Sequence, residues 1–226
     1  MAGGGTIPDI PGCPAFLVWQ IGIVCNIYLL GQKKGADSGV RGKVASASAR
    51  LASQLVRKSG PGVVVLAGDR VEVMRWGFHR SFNAAINNAR SDKLATGMWS
   101  EAFRDRRCVI PVTAFYEWGP GAAGRKQAYE FRATDGDYMW MAALWEPGGE
   151  IGPCFTMVTT DAPALMTTIH DRMPAVLRPD EVKGFLAGDN VWNFTPFGGN
   201  LVVAPCASPL KSMHGDGGDG GQPELF

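Results

Sequence analysis

The sequence predicts a β-rich α+β fold, a single domain of roughly 180 residues, and three observations carry that prediction. From Gly62 onward, short β-branched and aromatic runs are split by turn residues: "GVVVLAGDRVEVMRWGF", "RCVIPVTAFYEW", "QAYEFRA", "YMWMAALW", "CFTMVTT" and "VWNF". Only two stretches between them carry helix signals, "SEAFRDRR" and "PDEVKGFLA". The chain, 226 residues with 46% apolar side chains, is long enough to bury one sizeable core.

Taken in order, residues 1–12, "MAGGGTIPDIPG", are rich in Gly and Pro without periodicity and are expected to be disordered. "PAFLVWQIGIVCNIYLL" is the candidate membrane segment, but its 17 residues include Gln20 and Asn26, and that length is near the minimum for crossing a bilayer. No Lys or Arg precedes Lys33 to serve as a signal peptide's basic region, which disfavours a membrane or secretory role. "ASARLASQLVRK", residues 47–58, has the composition of a short helix ending before Gly60 and Pro61. Gly68 and Asp69 predict a hairpin turn. A helix is expected from Ser100, and another with Pro179 at its first position and Gly188 past its end. The tail "GDGGDGGQPELF" reads as a flexible segment.

Charge excludes little, because 22 Lys and Arg nearly balance 21 Asp and Glu; attraction to an anionic ligand must come from local clusters. The cysteines at 13, 25, 108, 154 and 206 form no CxxC pair. That spacing argues against a disulfide framework or a zinc site and suits a reducing cytosol. No cofactor motif is evident.

Three stretches put reactive side chains where a bland sequence would not. Glu117 interrupts the apolar run from Val109 to Trp118, which reads as a buried strand. A carboxyl there is costly to ionise, so its pKa is expected to rise towards the range of a general acid or base, unless it reaches solvent or an Arg at the strand end. His170, in "TTIHDRMPAVL", follows an expected short helix; Asp171 and Arg172 beside it read as structural ion pairs. "INNARSD" offers Asn88 to orient a reacting group and Arg90 to hold a phosphate, or else a capped turn.

The stretches "VCNIY", "MRWGF", "NNARSD", "RRCVIPVTAFYEW" and "IHDRMP", in this order and spacing, resemble the SRAP family, the SOS response-associated peptidases. The resemblance covers residues 24 to about 180 and, more weakly, continues to about 206; "FYEW" and "IHDRMP" are specific when found together. It implies an SRAP-type domain over 24–206 with a mostly antiparallel, barrel-like sheet and a few short helices. Residues 1–23 are then a gene-model overextension or leader, and 207–226 the tail. Family members begin Met-Cys, and a GTG codon for Val24 read as an initiator would leave Cys25 as the first residue.

The implied function is covalent capping of abasic sites in single-stranded DNA, without cofactor, metal, membrane or obligate protein partner, in the cytoplasm and on the nucleoid. Cys25 would supply a free α-amine and a thiol that close a thiazolidine on the sugar aldehyde. Glu117 would be the acid/base, His170 would stabilise the sugar oxygen or Schiff base, and Asn88 would orient Cys25. Arg75 and Arg90 would hold phosphates, and Trp76 and Phe78 would stack on bases, with core packing the alternative for those two aromatics. The family's "N-x-A-P-T" loop is replaced by "SGPGVVVLAGD", and the segment after "RWGF" is short, so loop contacts to DNA do not carry over. Two other activities stay open: a thiol (auto)peptidase using Cys25 and His170, and a noncatalytic single-stranded DNA-binding or membrane-tethered module.

Overall fold

The computed structural model describes residues 26–31, 39–134, 137–164, 166–189, 194 and 201–210. In chain order the strands are β1 (Ile27–Leu29), β2 (Leu55–Arg57), β3 (Pro61–Leu66), β4 (Arg70–Trp76), β5 (Phe78–Arg80), β6 (Asn83–Ile86), β7 (Asn88–Arg90), β8 (Arg107–Val112), β9 (Ala114–Pro120), β10 (Lys126–Ala133), β11 (Met139–Glu146), β12 (Cys154–Asp161), β13 (Arg172–Pro174), β14 (Val176–Leu177) and β15 (Leu201–Cys206). The helices are α1 (Gly39–Ser48), α2 (Ser100–Asp105) and α3 (Glu181–Ala187).

β12 pairs with both β4 and β11, so that β12, β4, β3, β8 and β11 close into a barrel. The pairing is antiparallel except where β4 and then β7 join β12 in parallel. A second, wholly antiparallel sheet runs β15-β10-β9-β1-β2. Strand β12 is the hub of the molecule. Along one edge it takes β4 at Cys154 and Phe155, then β7 at Met157 to Thr159. Along the other it takes β11, then β13 at Thr159 to Asp161.

Local chemistry accounts for the turns. The β3–β4 hairpin closes at the expected place because Gly68 and Asp69 both take left-handed backbone (φ 74° and 57°), which Gly and Asp tolerate best. α3 ends at Gly188, also left-handed, whose N–H caps the last turn. The core joins the two sheets: Trp76 stacks parallel to Phe155 with Tyr28 against its edge, and Phe115 stacks on Phe131 at 4.6 Å. All six residues of β8 are buried.

Several expectations need correction. Residues 47–58 are not one helix. The helix lies earlier, at Gly39–Ser48, and Leu55–Arg57 form an edge strand, because Val56 is buried in the core and its strand pairs with β1. "RCVIPVTAFYEW" is two strands in different sheets. The break is Thr113, whose hydroxyl accepts from the Gly31 N–H and donates to the Leu29 carbonyl, turning the chain from barrel to second sheet. The helix expected from Pro179 starts at Glu181. Before His170 the chain makes turns rather than a helix, with the N–H groups of Ile169 and His170 both on the Met166 carbonyl. Within the candidate membrane stretch, Ile27–Leu29 is a strand, and among the described residues no helix is long and apolar enough to cross a membrane. Residues 1–25, "VWN" of "VWNF" and the tail from 211 lie outside the described residues.

Candidate active site

Glu117 sits on β9, between β10 and β1. Side chains on a strand alternate faces, so Phe115, Glu117 and Gly119 share one. Phe115 packs into the core on that face, and Glu117 beside it is 3% exposed. At Gly119 a Cβ would stand 3.0 Å from the Cα and Cγ2 of Ile169, so the absent side chain lets the segment before His170 lie directly against the strand. One strand therefore brings the buried carboxyl and the histidine segment together.

A second approach comes from Asn26, the residue joined to Cys25. Its side-chain oxygen accepts a 2.9 Å hydrogen bond from Asn87 Nδ2, and its carbonyl accepts from the Lys58 N–H. Asn87 is itself fixed, since its carbonyl receives both the Trp76 indole N–H and the Met157 N–H. β1 pairs with β9 antiparallel, with Tyr28 opposite Phe115; continuing that register brings Asn26 level with Glu117. Asn88 follows on β7, half-buried and opposite Met157, and Arg90 closes the strand opposite Thr159.

His170 is half-buried. Its Nδ1 accepts from the Arg172 backbone N–H at 3.0 Å and also lies 2.9 Å from Asp171 Oδ1. Burial pushes the imidazole pKa down while the Asp171 carboxylate pulls it up; burial wins, and neutral imidazole is favoured. Arg172 itself is 8% exposed, bonded to Asp161 and to the Thr159 carbonyl and hydroxyl. Arg90 pairs with Asp92 on the surface, and hydrogen bonding with that carboxylate raises the Arg pKa and lowers the Asp. Such an exposed pair is worth about 0–1 kcal/mol, so a phosphate can displace the carboxylate at small cost.

The sequence-predicted residues thus divide. Glu117 and His170 lie on touching segments, and Asn88 and Arg90 share β7 next to Asn87. Cys25 lies outside the described residues. Arg75 donates to the carbonyls of Gly77 and Ala84, fastening the base of the β5–β6 hairpin. Trp76 and Phe78 are both 0% exposed, so the core-packing alternative fits them and neither presents a face to a base. Among the described residues the exposed aromatic is Phe82, 76% accessible at the tip of that hairpin. Sequence reasoning passed over it. Its signal was an aromatic between Ser81 and Asn83, where a turn needs none. Asn26, Asn87 and Gly119 were also missed, because their roles come from long-range contact.

Among the described residues no group of His, Cys, Asp or Glu is arranged to hold a metal ion. The described cysteines are poor nucleophiles. Burial raises the Cys108 thiol far above its ordinary value, burial and Glu146 push Cys154 up to about 12, and Cys206 is raised as well.

A family model described as SOS response associated peptidase (SRAP) matches residues 49–206, a span that holds Asn88, Arg90, Glu117 and His170. A Xenopus tropicalis protein named abasic site processing protein HMCES is 35% identical over 140 residues, 48% of this chain and 42% of that protein. YoqW of Bacillus subtilis, also named an abasic site processing protein, is 28% identical over 139 residues, 55% of this chain and 60% of its own length. The chain therefore matches less than two thirds of either relative. A crystal structure from Bacteroides thetaiotaomicron superposes with a TM-score of 0.69 at 20% identity, covering 84% of this chain and 95% of the other. One from Bordetella bronchiseptica gives 0.63 at 21%, covering 81% and 100%. At such identities the likeness is one of fold.

Proposed function

Because the chain belongs to the SRAP family, we propose that it processes abasic sites in single-stranded DNA by forming a covalent adduct through Cys25. The observation that carries this reading is the tie between Asn26 and Asn87, which holds the chain next to Cys25 where the β1 register runs level with the buried Glu117. The elevated thiol pKa values of Cys108, Cys154 and Cys206 support it by leaving the nucleophile to a cysteine elsewhere.

The chemistry needs a free α-amine on Cys25, since an amide nitrogen has its lone pair delocalised; the reading therefore requires a chain that begins there. The closed abasic sugar opens when its C1′–O4′ bond breaks and O4′ gains a proton, exposing an aldehyde. The Cys25 amine adds to that carbon, water leaves, and an imine remains. The thiol then adds across the imine, its sulfur bonding C1′ and its proton passing to nitrogen, to give a thiazolidine. Overall, aldehyde and aminothiol give ring and water. Glu117 carries protons between these oxygens and the nitrogen, and its burial keeps the transfer out of bulk water. His170 hydrogen-bonds the sugar oxygen, Asn88 orients the cysteine, Arg90 exchanges Asp92 for a phosphate, and Phe82 stacks on a base beside the lesion.

The test is a denaturing gel with abasic single-stranded DNA. A chain beginning at Cys25 gives a denaturant-resistant adduct, and the chain still carrying residues 1–24 gives none unless it is processed. Cys25→Ala retains the amine, so its product appears only when borohydride traps the imine. Equal crosslinking by the unprocessed long chain would overturn the reading.

A further inference from the structure

We infer that Arg172 is a positioning residue that holds His170 as its Nε2–H tautomer, so that His170 meets the substrate as a hydrogen-bond donor and has no lone pair at Nε2 with which to act as a base. The inference rests on the reading that His170 belongs to the active site, and it separates the two chemistries that reading leaves open, since a thiol peptidase needs its histidine to take the thiol proton.

The Arg172 backbone N–H always carries its hydrogen and points it at His170 Nδ1, 3.0 Å away. Nδ1 must then offer its lone pair. In neutral imidazole one nitrogen is protonated and one is not, so the proton stands on Nε2. Asp171 Oδ1, 2.9 Å from the same Nδ1, makes the competing demand for a proton there. The two partners are not equal. The Asp171 side chain is 87% exposed and is satisfied by water when it swings away. The Arg172 main chain cannot move without disturbing β13: the Asp171 carbonyl accepts from the Ala162 N–H, and Arg172 stands opposite Asp161 in the β12–β13 ladder.

The Arg172 side chain tightens this grip. Its guanidinium reaches back across the ladder to the Thr159 carbonyl at 2.6 Å and the Thr159 hydroxyl at 3.4 Å, and it bonds Asp161; Asp92 lies 4.0 Å away. The residue is 8% exposed and its Nε is buried without a hydrogen-bond partner. A buried cation with an unused donor is an expensive way to join two strands, and a hydrophobic pair usually does as well. The guanidinium's bonds to Thr159 and Asp161 span the β12–β13 ladder at the residue whose N–H meets Nδ1. The charges that act on the imidazole are Asp171 and Arg172, of opposite sign, and burial outweighs both to favour the neutral ring.

The experiment reads the tautomer itself. A uniformly ¹⁵N-labelled chain beginning at Cys25 is examined near pH 7.5 by long-range ¹H–¹⁵N correlation. The chain has three histidines, and His170→Gln identifies the signal. A pyrrole-like Nε2 with a pyridine-like Nδ1 is expected; an Nδ1–H pattern or an imidazolium at that pH overturns the inference. Asp171→Asn is expected to keep the same pattern, and a switch of tautomer in that variant would show that Asp171 and not Arg172 is the partner. Arg172→Met is expected to lose the single-tautomer signature. Should that variant not fold, slow exchange of the Arg172 amide in the unmutated chain serves instead, and an amide exchanging as fast as an exposed one overturns the hydrogen bond. The two readings fail separately. If His170→Gln crosslinks at the unmutated rate, His170 has no place in the proposed chemistry whatever its tautomer; if it crosslinks slowly but the spectrum shows Nδ1–H, only the present inference fails.

Discussion

Arg107 and Arg172 are the same residue type at nearly the same burial, 6% and 8% exposed, yet they sit in opposite kinds of surroundings. Arg107 lies between the rings of Phe103 and Phe185 and donates to three carbonyls, that of Phe103 in α2 and those of Phe185 and Asp189 at the end of α3. It meets no carboxylate there by hydrogen bond, and burial lowers its pKa. Arg172 instead binds a carboxylate and a strand, and its own N–H holds a reactive side chain. The first arginine satisfies helix-end carbonyls and stabilises the scaffold. The second, on our inference, orients His170. Equal burial thus says little about role, and the partners decide it.

The strongest separation of site from scaffold comes from Glu117→Gln, which keeps shape but removes proton transfer. Crosslinking is expected to fall about 10²- to 10⁴-fold, with DNA binding retained in a native gel and little change in Tm. On the scaffold side, Arg107→Ala removes the Arg107 donor from the Phe103 and Asp189 carbonyls, while the Phe185 carbonyl keeps the Gly188 N–H, and opens a gap between two rings. Each unsatisfied buried group costs about 1–3 kcal/mol, and water recovers part of it, so a loss of about 3 kcal/mol is expected in urea unfolding. The folded fraction should crosslink at the unmutated rate; a slowed rate per folded molecule would erase the contrast.

Gly119→Ala probes the seam between the two kinds of region. The added methyl meets Ile169 backbone at 3.0 Å, and overpacking of this sort costs about 1–3 kcal/mol. Because the strain falls on the segment before His170, the crosslinking rate should drop along with stability, unlike Arg107→Ala. Phe82→Ala should do the reverse of Arg107→Ala. Unfolding free energy stays within about 0.5 kcal/mol, while affinity for single-stranded DNA falls by about 1–3 kcal/mol, the range for one stacked base. Unchanged affinity in a fluorescence titration would remove Phe82 from the interface.

The smallest effect is one of pH. His170 has its folded pKa depressed by burial below the ordinary 6.5, so the unfolded chain binds the proton more readily. Stability should therefore fall as pH drops below about 6.5 and level off once the folded-state pKa is passed. His170→Gln should flatten that part of the pH–stability curve; an unchanged slope would assign it to other groups.

Much of this was legible from local chemistry. The β3–β4 hairpin follows from Gly68 and Asp69, the strands β10, β11 and β12 from their composition, and the helix that starts at Ser100 from the stretch "SEAFRDRR". What local pattern could not carry was partnership. Thr113 breaks one apolar run into two sheets only because the Gly31 N–H is there to donate to its hydroxyl and the Leu29 carbonyl to accept from it, 82 and 84 residues away in sequence. Leu55–Arg57 lies in a stretch of helical composition and becomes a strand because β1 offers an edge. At the site, Glu117 and His170 stood out as polar groups in apolar company, and the structure puts their segments in contact through Gly119. Trp76 and Phe78 stood out as aromatics near basic residues, a pattern that a core and a DNA surface share. Their burial settles which environment they occupy.

The hub strand β12 has a consequence for how this scaffold can be altered. The chain leaves β12 at Trp76, opposite Phe155, and rejoins the same edge in the same direction at Asn88, opposite Met157. Everything from residue 77 to 87, the hairpin with Phe82 included, is an excursion whose two ends are clamped within two rungs of one rail. The body of that excursion is anchored by Phe78 in the core, by the Arg80–Glu146 pair and by the tie from Asn87 to Asn26, so its turn at Ser81 and Phe82 is the part that can change in length without moving Asn88. On the proposed function, the turn that carries Phe82 is exchangeable while Asn87, Asn88 and Arg172 keep their spacing, and grafting a different turn at that tip is a route to retargeting the protein without rebuilding its chemistry.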